Sequence, residues 1–154
     1  MEQHRDLTER IIREGHCVGI HSYSHRMSVK IDLRRKMDEV IKSRNLVNRI
    51  VGINCNLFRP PYGVISWKQL IFCLFKGITT VLWSIDSRDF SRQGVEDILN
   101  KTIRKGIRPG DIILFHDDND FTLEALPIII EKLKDEGQSF VTVDELFNHK
   151  TKKC

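Results

Sequence analysis

Five short apolar runs, each beside a longer stretch with helical spacing, constrain this 154-residue chain more than any other feature. The runs are Cys17–Ile20, Asn56–Arg59, Thr79–Ile85, Asp111–Phe115 and Phe140–Val143. Helical periodicity fills the gaps. Glu2 to Arg13 sets Leu7, Ile11 and Ile12 among charges, and Asp32 is placed to cap a helix running to about Ile50. Ser66 caps a helix through Phe75, Val95–Lys105 forms another, and Thr122 caps a last one to Glu136. Strands this apolar and this regularly interleaved predict an α/β fold, a parallel sheet covered by helices. The length predicts a single domain with one core.

Composition narrows the function classes. No apolar stretch approaches the roughly 20 residues of a membrane span, and the polar opening Met1–Asp6 predicts no signal peptide beginning at Met1. The net charge of +4 is modest and partly belongs to a basic tail at 149–154. Without a nucleic-acid-binding motif, it gives no reason to expect a nucleic-acid partner. The four cysteines, Cys17, Cys55, Cys73 and Cys154, form no C-x-x-C pair. Cys17 and Cys73 sit in apolar runs and read as small buried hydrophobes. Neither G-x-G-x-x-G nor the P-loop signature is present, which removes the usual nucleotide-binding doubly wound folds.

In parallel α/β folds, chemistry gathers at the C-terminal ends of strands. Four polar clusters stand there: His21-Ser22-Tyr23-Ser24-His25, Arg59-Pro60-Pro61-Tyr62-Gly63, Asp86-Ser87-Arg88-Asp89-Phe90 and His116-Asp117-Asp118. His21 and His25, four apart, can share one metal ion. His116 closes an apolar strand, where an imidazole can serve as general acid, and Asp86 ends the neighbouring strand, from which it could orient that imidazole. Asp89 reads equally well as a loop cap. Pro60-Pro61-Tyr62-Gly63 on its own reads as a turn; the two prolines also fix the chain and leave the Tyr62 N–H free, as an oxyanion site needs.

Taken in order, H-S-Y-S-H, R-P-P-Y-G, D-S-R-D-F and L-F-H-D resemble the motifs of the polysaccharide deacetylases, the NodB-homology family (carbohydrate esterase family 4). The resemblance runs from Gly15 to Phe147, so residues 1–148 read as a partial domain ahead of the tail. It implies a distorted (β/α) barrel, a divalent metal such as zinc, and hydrolysis of N-acetyl groups on an acetylated glycan, peptidoglycan or chitin-like. By position, it implies that His21 and His25 hold the metal, Arg59 positions the base carboxylate and the Tyr62 amide binds the oxyanion. It further implies that Asp86 tunes the acid His116, while Leu114 lines the acetyl pocket. Phe90 stands where the family has Trp, keeping an aromatic wall. Family members act at or outside the cell envelope.

One departure is larger. The family opens with T-F-D-D-G-P, whose aspartates are the base and a third metal ligand, and no such segment precedes His21. The resemblance therefore implies a chain that starts inside the domain, with impaired activity. A non-catalytic remnant that binds glycan or metal is the alternative.

Overall fold

The apolar positions gather into two cores, because the chain divides into two units, Met1–Leu82 and Trp83–Cys154. The computed structural model describes residues 4–26, 31–104 and 106–151.

The first unit contains α1 (Arg5–Arg13), α2 (Leu33–Val51), β1 (Leu57–Phe58), a 3-10 turn at Pro61–Gly63, α3 (Trp67–Phe75) and β2 (Thr79–Thr80). Asp32 caps α2 as its chemistry predicts, accepting the Arg35 N–H at 2.9 Å. Gly52 ends the helix in the left-handed conformation, φ +69°, that glycine adopts most easily. Val40, Val47 and Ile50 are buried along α2 at helical spacing. Val40 and Val47 pack with Ile20, Cys55, Phe58, Cys73 and Ile78. Burying each large side chain of this set contributes about 1.5–3 kcal/mol.

Strands β1 and β2 pair in parallel, Leu57 opposite Thr79 and Phe58 opposite Thr80. The expected strand Cys17–Ile20 contracts to one parallel bridge, Ile20 with Phe58. Ile20 donates its N–H to Leu57 O at 2.8 Å and accepts from Arg59 N–H at 2.9 Å. A Cβ at Gly19 would lie 3.4 Å from both the Leu57 Cβ and carbonyl oxygen, at the edge of ordinary contact.

The second unit contains β3 (Ile85–Asp86), a 3-10 turn at Asp89–Ser91, α4 (Val95–Ile103), β4 (Ile113–Leu114), α5 (Asp120–Asp135) and α6 (Val143–Thr151). Ile85 pairs with Ile113 and Asp86 with Leu114, again in parallel. Ile98 of α4 packs on Ala125, Ile129 and Leu133 of α5. Among the described residues the strands pair as two two-stranded parallel sheets, β1 with β2 and β3 with β4.

Four expectations change. The run Thr79–Ile85 is not one strand but two, β2 and β3, in different sheets. Asn119 caps α5, accepting the Phe121 N–H at 3.0 Å. Thr122 does not cap it, because its hydroxyl donates to Asp89 at 2.9 Å. Phe140–Val143 is not a strand: a capping box overrides its β propensity. Thr142 Oγ1 accepts the Glu145 N–H, and the Glu145 carboxylate accepts the Thr142 N–H at 2.7 Å, starting α6 at Val143. That helix runs through Thr151, so the tail expected from 149 begins inside it. The first residues of the opening helix, the Lys105 end of α4 and the tail at 152–154 lie outside the described residues.

Candidate functional site

The His loop follows the Ile20 bridge directly, so His21 emerges at a strand end. Its Nδ1 stands 2.6 Å from the Arg59 carbonyl oxygen. A carbonyl only accepts, so Nδ1 carries a proton, and in the neutral form of the ring the lone pair lies on Nε2. That Nε2 faces His25 Nε2 at 3.2 Å. With Zn–N bonds of about 2.0–2.1 Å, two nitrogens on a tetrahedral ion lie about 3.3–3.4 Å apart. The pair fits the edge of such a site, and the backbone carbonyl behind His21 is the usual second support for a metal-bound imidazole. Among the described residues, no cluster of three or more His, Cys, Asp or Glu converges in this way.

The loop is strained. Ser22 and His25 adopt φ values of +69° and +53°, a region non-glycine residues seldom occupy. Glu39 of α2, which the sequence reading missed, holds it in place. A single oxygen, Oε2, accepts the Ser22 hydroxyl at 2.9 Å, the Tyr23 N–H at 3.1 Å, and the Ser24 N–H and hydroxyl at 2.7 and 2.9 Å. Burial alone would raise the Glu39 carboxyl pKa, but these hydrogen bonds together bring it below the ordinary value.

Arg59 follows β1, and burial lowers the pKa of its guanidinium. Tyr62 is held at φ +58° by the 3-10 turn. The bonds closing that turn, Gly63 N–H to Pro60 O and Val64 N–H to Pro61 O, bypass the Tyr62 amide. The exposed Tyr62 ring lies 5.2 Å from the His25 ring, centre to centre.

In the second unit, His116 follows β4, but its partner is Asp89 and not Asp86. Asp86 accepts the Arg88 N–H at 2.9 Å, capping its own turn. Asp89 is buried, at 1% exposure. Its Oδ1 faces His116 Nδ1 at 2.7 Å, while its Oδ2 accepts the His116 N–H at 2.6 Å and the Thr122 hydroxyl at 2.9 Å. Burial raises the Asp89 carboxyl pKa, and the bonds from His116 and Thr122 more than reverse that, so it stays ionised. An ionised partner on Nδ1 leaves His116 Nε2 to exchange a proton outward. Phe90 is exposed and meets the His116 ring edge-on at 5.9 Å between centres, while Leu114 is buried in β4.

A sequence model of the family described as polysaccharide deacetylase matches residues 1–71. A peptidoglycan-N-acetylglucosamine deacetylase of Bacillus cereus is 34% identical over 149 residues, covering 94% of this chain and 69% of that protein. The chain belongs to the polysaccharide deacetylase family. Another peptidoglycan-N-acetylglucosamine deacetylase of Bacillus cereus is 32% identical over 150 residues; they cover 95% of this chain but 54% of that protein, about half its length. The crystal structure of the Bc1960 peptidoglycan N-acetylglucosamine deacetylase, in complex with 4-naphthalen-1-yl-N-oxidanyl-benzamide, matches with a TM-score of 0.88. That match is 32% identical and covers 94% of this chain and 69% of the other. The polysaccharide deacetylase fold is therefore present in this chain.

Proposed function

We propose that this deacetylase domain removes N-acetyl groups from an acetylated hexosamine glycan of the peptidoglycan type, with a divalent metal held by His21 and His25. The observation supporting this most strongly is the His pair, two ring nitrogens 3.2 Å apart with one ring locked by the Arg59 carbonyl. Zinc suits an imidazole donor set, and when bound it would polarise the acetamide carbonyl and acidify water. Apart from the base, whose motif is not among these 154 residues, the chain's own residues supply the rest. The Tyr62 N–H donates to the oxyanion as the carbonyl carbon becomes tetrahedral. His116, oriented by Asp89, protonates the leaving amine through Nε2. By the family resemblance, Arg59 would hold a base carboxylate supplied by the T-F-D-D-G-P segment, Leu114 would meet the acetyl methyl, and Phe90 would supply an aromatic wall.

These 154 residues contain no T-F-D-D-G-P segment. A second reading of the same fold is a non-catalytic domain that binds glycan or metal. Acetate release from acetylated glucosamine oligomers separates the two. The proposal expects negligible release by the 154-residue chain with zinc, and clear release once a segment carrying that motif is joined ahead of Met1. A chimera that binds zinc and glycan yet releases no acetate supports the second reading instead.

A further inference from the structure

We propose that Glu39 is the residue that positions the metal-binding histidines, acting through the loop that joins them. This rests on the reading of His21 and His25 as metal ligands. The three residues between the histidines all donate to Glu39 Oε2: Ser22 and Ser24 through hydroxyls, Tyr23 and Ser24 through amides. Glu39 is 8% exposed on α2, a helix fixed at its start by the Asp32 cap and next to Glu39 by Val40 in the core. Ser43, one turn further along α2, adds a hydroxyl bond to the Ser22 carbonyl at 3.4 Å.

The physical need for such a residue comes from the backbone. Ser22 and His25 sit at positive φ, and a loop with two such non-glycine residues relaxes unless its surroundings over-determine it. A buried carboxylate with four donors on one oxygen supplies that constraint. Packing alone cannot do so, because Tyr23, Ser24 and His25 are all exposed. Once the loop is fixed, the His21 and His25 Nε2 atoms stand at 3.2 Å, the spacing one ion can bridge. Without Glu39 the histidines remain in the sequence but lose their common aim. Supports of this kind typically change metal affinity by roughly 10- to 100-fold.

The test is zinc calorimetry on the 154-residue protein and its variants, paired with thermal unfolding of the metal-free forms. Glu39→Ala should weaken zinc binding by roughly 10-fold or more. Glu39→Gln, which keeps one carbonyl acceptor but no charge, should fall between it and the parent. Ser24→Ala, which removes a donor while leaving α2 untouched, should lower affinity a few-fold and guards against a Glu39 variant that fails to fold. Val47→Ala cuts into the same helix two turns away; it should lower the unfolding temperature and leave zinc affinity unchanged. Parental zinc affinity in folded Glu39→Ala and Ser24→Ala overturns the inference while leaving the histidine assignment intact. So does an affinity that tracks unfolding temperature across all variants, Val47→Ala included. No zinc binding by the parent overturns the histidine assignment, and the inference falls with it.

Discussion

Asp89 grips His116 at two points, its Oδ2 accepting the backbone N–H at 2.6 Å and its Oδ1 facing the ring Nδ1 at 2.7 Å. The carboxylate is buried, also takes the Thr122 hydroxyl, and has its main-chain carbonyl capped by the Asn119 amide. Asp89→Asn replaces an acceptor oxygen with a donor facing groups that already donate. It should cost about 2–3 kcal/mol. Asp86→Asn, which disturbs only a turn, should cost under about 1 kcal/mol. Urea midpoints of the two variants check the difference.

The same carboxylates set the response to acid. Asp89 and Glu39 are both held below the ordinary carboxylate range by hydrogen bonds that outweigh burial. A group with a depressed folded pKa binds fewer protons than it does in the unfolded chain. Its contribution is therefore complete above the unfolded value and is lost as pH falls through the folded one. Stability should be level from neutral pH down to about pH 5 and fall steeply below about pH 4. Asp89→Asn should flatten that fall. Denaturation midpoints from pH 7 to pH 3 measure it.

The site motifs were legible in the sequence because each follows an apolar run by position alone. The choice between Asp86 and Asp89 was not. Both follow the same apolar run in the sequence, and only the fold reveals that the Asp89 carboxylate reaches His116 and Thr122. Glu39 was invisible for a related reason: nothing local marks one glutamate of a charged helix as the acceptor for a loop 15 to 17 residues away. Thr79–Ile85 has the composition of one strand, yet its two ends pair with different partners. Phe140–Val143 has β-rich composition, but Thr142 and Glu145 cap a helix across it.

Gly19 supplies a test of the first unit. A valine there would push against Leu57, whose carbonyl oxygen and Cβ would both lie 3.4 Å from the new Cβ. Gly19→Val should destabilise the protein by about 1–3 kcal/mol, read from its urea midpoint. Because the Ile20 bridge leads straight into His21, zinc affinity should fall as well.

In the chimera that carries the aspartate motif, His116→Ala should lower turnover at least 100-fold and leave metal content unchanged, as loss of a general acid does. Metal analysis alongside the acetate assay checks this. Loss of metal together with activity would make His116 a ligand instead.

The most direct measurement is a zinc titration of the 154-residue protein against three single variants. His21→Ala and His25→Ala each remove one of the two nitrogens that stand 3.2 Å apart, whereas His16→Ala removes an exposed imidazole ahead of the strand. The account predicts measurable though weak zinc binding by the parent and His16→Ala, and none by either of the other two. Equal affinity in all four proteins would contradict it.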